Sequence, residues 1–408
     1  MRTYDTYKDS GISWLGQIPS HWDVRRTKTI WEEHVSLSET GTEQLLSVSQ
    51  YDGVKPNDEG SRSESLVGYK VVDSSNLVIN IMLAWLGGLG VSQYNGIVSP
   101  AYCVYKLKEN HCPEYFHYLY RTAMYLAEFA RKSTGVVPSR WRMYTDSFGT
   151  VLSLVPPLAE QKAIVAYLDS ATAEIDKAIA SQQRMVELLQ ERKQIIINQA
   201  VTQGLNPAAP MKPTIIDWLP QIPAHWELKQ LRFVVDFYDH LRAPITADQR
   251  ERKNPQYDYY GASGVIDRID HYNVDDKVLL IGEDGANLLL RNLPLIYRAQ
   301  GKFWVNNHAH IIKPIKDDYE YIAYMLEAGD FTLYITGSAQ PKLTQLNLKS
   351  FIVPIPPLAE QTAIVENIEI QTRPVNSAIS RCERMIELLT ERKQILINDV
   401  VTGKIKVV

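Results

Sequence analysis

PPLAEQ occupies residues 156–161, and the same six residues recur at 356–361. Further on, ERKQI at 191–195 recurs at 391–395. At this offset of 200, about half of positions 155–202 are identical in the second copy. A second motif also repeats: WLGQIPSHW at 14–22 and WLPQIPAHW at 218–226, an offset of 204. A long internal repeat fixes the architecture before any local reading is made. The chain is two halves of about 200 residues, and its function must make sense done twice.

The repeated element is a helix. From Ile164 a seam runs Leu168, Ala171, Ile175, Ala178, Gln182, Met185, Leu189, Arg192, Ile196, with steps that alternate between four and three. That is the heptad spacing of a coiled coil. The second copy carries the same seam from Ile364 to Leu396, through Gln371, Met385 and Arg392. Two prolines precede each copy, where proline is tolerated. Gly204 and Gly403 close the copies, as expected near a helix C-terminus. Pro374 stands where the first copy has Glu174, and predicts a kink in the second helix alone. About 40 residues of helix span about 60 Å. One face of an ordinary helical bundle would also account for the seam, but two matching copies favour two helices packed antiparallel on each other. Gln182 and Arg192 then either fix register or sit where a partner protein packs.

The stretch GLNPAAPMKPT at 204–214 reads as an extended connector. The WLxQIPxHW segment follows this connector in the second half but opens the chain in the first. The halves are thus arranged as on a ring cut before residue 1, which puts the N-terminal segment near the C-terminal helix. Residues 23–155 and 227–355 hold short apolar runs between Gly, Asn and Asp clusters, the pattern of strands and loops. Each also carries one predicted helix, near 114–131 and 319–328. The resulting class is mixed α/β: residues 1–155 as a first globular domain, 156–204 as a central helix, 205–355 as a linker and second domain, and 356–408 as a C-terminal helix. Most of the two domains does not align, but their ends do. Thr134-Gly135 matches Thr336-Gly337, Pro138 matches Pro341, and Phe148 matches Phe351.

Composition is that of an ordinary soluble protein, 45% apolar and 22% charged. No stretch approaches the ~20 apolar residues of a membrane helix. The opening MRTYDTYKDSG has no apolar core like that of a signal peptide. Three cysteines, an odd count without framework spacing, argue against a disulfide scaffold. A reducing cytoplasm is the expected setting. Net charge is −4, and residues 1–155 hold 15 basic and 16 acidic side chains, residues 207–355 hold 16 and 18. Neither domain is basic, so a DNA-binding role requires a partner that supplies part of the phosphate grip.

Catalytic patterns are missing from the sequence: there is no GxxxxGK[ST], GxSxG or HExxH. Gly87, Gly88 and Gly90 follow an apolar run but open no helix, which argues against a dinucleotide site. Cys103, His111, Cys112 and His117 lack the paired spacing of a zinc site. His308 and His310, two apart on a strand, and Glu283-Asp284 within GEDG read more simply as packed or turn residues than as metal ligands. Basic and amide side chains at the matching turns are more informative. Arg131, Lys132, Arg140, Trp141 and Arg142 flank TGVVP in the first domain, and Gln340 and Lys342 lie at the equivalent turn of the second. Arg250, Arg252 and Lys253 precede Tyr257, and Asn287, Arg291 and His308 complete the candidates. Arginine reads guanine edges, Gln and Asn read adenine, and cations position phosphates.

The doubled PPLAEQ…ERKQI helix, the WLxQIPxHW segments, and the strings GEDGAN at 282–287 and GKFWVNNHAH at 301–310 resemble the specificity subunits of type I restriction–modification systems. The resemblance covers essentially the whole chain, and its repeated-helix frame is its most specific part. It implies two target-recognition domains held apart by two long antiparallel helices, in a pseudo-twofold repeat. Each domain then reads one half of a bipartite double-stranded DNA site. The helices set the gap between half-sites and dock two adenine methyltransferase subunits, which carry S-adenosylmethionine and do the chemistry. Motor-nuclease subunits join for restriction. The chain itself needs no cofactor and is not an enzyme. A spacer of tens of ångströms suits readers about one turn of DNA apart, ~34 Å. Two other readings are a stand-alone targeted nuclease, which would need clustered acidic and lysine residues, and a coiled-coil adaptor that binds protein only.

Overall fold

The computed structural model describes residues 2–51, 53–58, 65–137, 140–246, 255–337 and 339–407. The chain divides into two units, one of residues 1–183 with 384–408, the other of residues 184–383. The five longest helices among the described residues are α1 (Pro113–Tyr120), α2 (Ala123–Lys132), α3 (Leu158–Gln203), α4 (Tyr319–Ala328) and α5 (Leu358–Val401). The unit boundaries fall after Gln183 and after Glu383, at equivalent points of the repeated helices α3 and α5. Each unit is therefore one mixed domain, the first half of one long helix and the last half of the other, packed antiparallel. No helix among the described residues is long and apolar enough to cross a membrane.

The first unit is built on a four-stranded antiparallel sheet of β1 (Trp31–Glu33), β2 (Leu77–Asn80), β3 (Leu89–Val91) and β4 (Tyr102–Leu107), in the order β1-β4-β2-β3. The second holds six strands, β5 (Val235–Phe237), β6 (Tyr257–Gly261), β7 (Gly264–Ile269), β8 (Val274–Gly282), β9 (Ile296–Val305) and β10 (Ala309–Pro314). Their order is β5-β10-β8-β9-β6-β7. The first four places of this order repeat the whole sheet of the first unit. Hairpin β6–β7 is added at the edge, with β6 parallel to β9. The two domains thus share a sheet that their sequences do not reveal.

Each core joins a domain to its two half-helices. In the first unit Ile164, Val165 and Leu168 of α3 and Leu396, Val400 and Val401 of α5 are buried with Tyr115, Phe116 and Leu119 of α1. In the second, Ile364, Val365 and Ile368 of α5 and Ile197, Ala200 and Val201 of α3 are buried with Tyr321, Ile322 and Met325 of α4. The repeated residues of PPLAEQ make these joints. Gln161 accepts the Cys112 N–H at 2.9 Å and donates to the Pro156 carbonyl at 2.8 Å. Gln361 accepts the Asp318 N–H at 2.7 Å and donates to the Pro356 carbonyl at 3.0 Å. Each glutamine so holds the N-cap residue of the following domain helix, α1 or α4. The neighbouring glutamates hold the WLxQIPxHW segments: His21 meets Glu160 at 2.8 Å and His225 meets Glu360 at 2.7 Å. Tyr7 donates to the Gly403 carbonyl at 3.2 Å, so the N-terminal segment lies on the end of α5.

Gly204 and Gly403 end the two helices at φ 74 and 78. A Cβ at Gly204 would lie 3.1 Å from Trp226, and one at Gly403 would lie 2.4 Å from Pro19. Glycine is thus required there both by the left-handed backbone and by the packed WLxQIPxHW segment.

Two sequence expectations change, at the first domain helix and in the seam. The single helix expected over 114–131 is two helices, broken at Arg121-Thr122. Arg121 turns away there to donate to the carbonyls of Gly87, Leu89, Gln50 and Tyr51 at 2.7–3.0 Å. Helix α5 runs continuously through Pro374. The seam is correct at Ile175, Gln182, Leu189 and Ile196, and Ala171 and Ala178 share it with Thr172 and Ile179, but further on Val186 and Lys193 replace Met185 and Arg192. Met185 and Arg192 point to solvent, as do Gln371, Met385 and Arg392 in the second copy. Steps of four and three from Leu168 lead to Thr172, whose hydroxyl donates to the Leu168 carbonyl at 2.7 Å within the helix. Across the first unit's helix pair, Lys393 reaches Asp176 at 2.7 Å.

Candidate nucleic-acid interface

The two turns flagged by the repeat have one construction. In the first unit, Thr134 N–H donates to Arg142 at 3.0 Å and Arg142 N–H returns to Thr134 at 2.9 Å. In the second, Thr336 and Lys342 exchange the same pair at 2.8 and 2.7 Å. A Cβ on Gly135 would lie 2.5 Å from the Arg140 carbonyl, and one on Gly337 would lie 2.5 Å from the Gln340 carbonyl. This close approach explains the glycine of both Thr-Gly pairs. Each turn is then fastened to the loop after its central strand: Met143 N–H donates to Ile81 at 2.9 Å, and Leu343 N–H to Glu283 at 2.7 Å.

The side chains carried by this common frame differ. Arg140 is exposed at the tip of the first turn. Trp141 packs edge-on against Trp85 with ring centres 5.3 Å apart. Arg142 donates to the Trp141 carbonyl at 2.8 Å. Arg131 and Lys132 end α2, but Arg131 is bound at 2.6 and 2.7 Å to both oxygens of buried Glu128. That bidentate pair ties Arg131 to the core through Nε and Nη2.

In the second unit, Gln340 is exposed and Lys342 sits 3.1 Å from Glu283. His308 meets Asp284 at 2.7 Å, and Asp284 bridges the backbone of Lys342. Lys342, Gln340 and His308 are therefore brought together. Tyr257 lies on the added hairpin, edge-on to Tyr272 at 5.2 Å, outside that group. Asn287 and Arg291 clip their own loop. Asn287 accepts from Leu293 N–H at 2.8 Å and donates to the Leu293 carbonyl at 3.0 Å, and Arg291 donates to the Gly329 carbonyl. Arg250, Arg252, Lys253 and Pro138 lie outside the described residues.

Beneath the second turn is a polar cluster that sequence reasoning did not assemble. His310, fully buried, has Nδ1 2.7 Å from Asp239 and Nε2 2.8 Å from the Leu343 carbonyl. Both ring nitrogens thus face oxygen atoms. Burial alone would raise the Asp239 carboxyl, but hydrogen bonds from His310 and the Ile311 N–H, with Arg242 nearby, hold it below its ordinary value. Burial acts likewise on Glu283, where Arg242, His310 and Lys342 reverse it. Arg242 binds Glu283 and lies 3.4 Å from Asp239. Arg242 and Glu283 are 41 residues apart and Asp239 and His310 are 71 apart, and no spacing announces these pairs. The network fixes the turn backbone from below and leaves Gln340 and half-exposed Lys342 and His308 facing out. No group of His, Cys, Asp and Glu among the described residues is arranged to hold a metal ion.

Comparison with known proteins agrees with this geometry. The family model of the type I restriction modification DNA specificity domain matches residues 223–379. A type I restriction enzyme specificity subunit of Haemophilus influenzae is 33% identical over 147 residues, 36% of this chain and 37% of the relative. The MjaVIII specificity subunit of Methanocaldococcus jannaschii is 24% identical over 294 residues, 62% of each chain. The chain thus spans between about a third and two thirds of the length of these relatives. A chain solved in work on complex assembly and conformational transition of the type I R-M system shares the fold. Its TM-score is 0.66 at 14% identity, over 95% of this chain and 99% of that one. In its doubled frame and its matched specificity domain, the chain is similar to type I restriction–modification specificity subunits.

Proposed function

We propose that the chain reads a bipartite double-stranded DNA site, one half-site per unit, within a complex whose other subunits methylate adenine and cleave DNA. The carrying observation is the pair of turns: one backbone construction, in one place of each unit, offering Arg140, Trp141 and Arg142 in one and Gln340, Lys342 and His308 in the other. Such an arrangement suits two readers tuned to different bases. The chain contributes recognition, and the chemistry belongs to its partners.

Docking of two methyltransferase subunits is supported by the outward faces of the long helices. Met185, Leu188 and Ile195 are 48, 43 and 49% exposed, and their repeats Met385, Leu388 and Ile395 are 46, 42 and 53% exposed. Identical apolar residues left in water at equivalent positions suit two copies of one partner. In the first unit a groove of about 550 Å³, lined by Tyr167, Ile175, Leu389 and Ile395, adjoins this face.

The test is an exchange of residues 23–150 for those of a relative, followed by mapping of methylated adenines in the host genome. One half of the methylated motif should change and the other persist. Alteration of both halves, or methylation that does not depend on this chain, would refute the function. Incubation of the purified chain alone with DNA and magnesium should give no cleavage, which separates this function from that of a stand-alone nuclease.

A further inference from the structure

The loop after the central strand of each sheet ends in the same device. In the first unit a single 3₁₀ turn, Ala84–Leu86, follows β2 and is stopped by Gly87 at φ 95. In the second a single α-helical turn, Asn287–Leu290, follows β8 and is stopped by Arg291 at φ 52. The two loops are equivalent, because Ile81 and Glu283 at their starts receive the matching turn hydrogen bonds from Met143 and Leu343. A left-handed arginine is a strained choice that surrounding contacts must hold. Here the Asn287 amide binds Leu293 and Pro294, and the Arg291 guanidinium reaches Gly329 while lying 5.8 Å over Phe331.

What these braced loops hold outward is apolar. Met82, Leu83 and Leu86 are 36, 37 and 39% exposed, and Leu289, Leu290 and Leu293 are 51, 63 and 49% exposed. The second loop spends backbone strain at Arg291, and the first a glycine at Gly87, to hold apolar side chains in water, an arrangement that suits a contact. Three observations identify that contact as DNA. Each knuckle adjoins a turn that carries cations, Arg140 and Arg142 in one unit and Lys342 in the other, which suit phosphates. The knuckles are equivalent in place but different in residues, as readers of unlike half-sites must be, whereas the helix faces that suit identical partners repeat residue for residue. The only apolar group that base edges present in the major groove is the thymine 5-methyl.

We propose that these two knuckles pack against thymine methyl groups in the major groove, one knuckle per half-site. This rests on the DNA-reading function proposed above. The experiment uses the full chain with its methylating partner and duplexes carrying the mapped site, with each thymine replaced singly by uracil, which removes only the methyl group. At one or more positions in each half-site, uracil should weaken binding by about fourfold, the effect of one buried methyl group. Leu289→Ala with Leu290→Ala should abolish that sensitivity in one half-site only, and Met82→Ala with Leu83→Ala in the other. All four residues are solvent-exposed, so the variants should fold. Uracil without effect on the unmodified chain, uracil sensitivity that survives in the variants, or variants that lose the methylating partner instead would overturn the proposal. If the unmodified complex does not prefer the mapped duplex over a scrambled one, the DNA-reading function itself fails, and that result is separate from the others.

Discussion

Gln161 Oε1 accepts the backbone N–H of Cys112 at 2.9 Å, which ties the first turn of a long helix to the first turn of a domain helix. Gln361 does the same for Asp318, and both glutamines are fully buried. Gln161→Ala or Gln361→Ala leaves a buried N–H and a proline carbonyl unpaired. Each should cost about 1–3 kcal/mol, read as a lower urea midpoint in the unit concerned. No change in midpoint would show that the glutamine is dispensable.

The first unit should weaken in mild acid through His117. This imidazole packs between Gly53 and Gly90 and accepts the Val91 N–H through Nδ1 at 3.2 Å. Burial, helped by Arg121, pushes it down from its ordinary value of 6.5 to about 4. The folded state holds the ring neutral while the unfolded chain takes up a proton below 6.5. The stabilisation is therefore complete above 6.5 and is lost as pH falls toward and through 4, about 3 kcal/mol in all. His117→Gln keeps an acceptor but does not titrate, and should flatten this part of the stability-against-pH curve. Parallel curves for the two proteins would contradict the assignment.

Charge placed on the outward helix face should separate folding from assembly. Met385→Glu and Ile395→Glu sit at exposed positions, so thermal stability should move by no more than about 0.5 kcal/mol. Co-purification of the methylating partner should fall about tenfold or more. Full retention of the partner in both variants would remove this face as the docking surface.

Within the first turn, Arg140→Ala should weaken DNA binding and lower its salt slope by about 1 if the side chain holds a phosphate. Arg131→Ala is the contrasting case. It should leave the salt slope unchanged and lower the urea midpoint, because Glu128 is stranded in the core. Titration of binding against salt, alongside urea unfolding, distinguishes the two.

The long helices, their ends and the paired turns could be read from sequence because the duplication supplies two independent copies of each signal. The phase of the seam could not. Ala178 is followed by Ile179 and Met185 by Val186, so apolar spacing fits either choice, and packing of the neighbouring half-helix decides. The common sheet order was hidden because strands such as β2 and β8 keep only their apolar character, not their residues. The loop contacts of Asn287 and Arg291 were hidden for a related reason. An amide and a guanidinium near a turn look the same in sequence whether they face DNA or the backbone of their own loop, and only the Leu293 and Gly329 contacts separate the cases. Arg242 and Asp239 escaped notice because their partners enter from distant strands.

The Tyr115 hydroxyl donates to the Val401 carbonyl at 3.1 Å, and Leu396 and Val400 are buried in the same core. During synthesis, most of the first unit leaves the ribosome early, yet its last layer is encoded after the whole of the second unit. The second unit, bounded by residues 184 and 383, has all its parts sooner. The half translated first should therefore reach its native state last, and its unfinished apolar face must be kept from aggregation until residues 384–408 emerge.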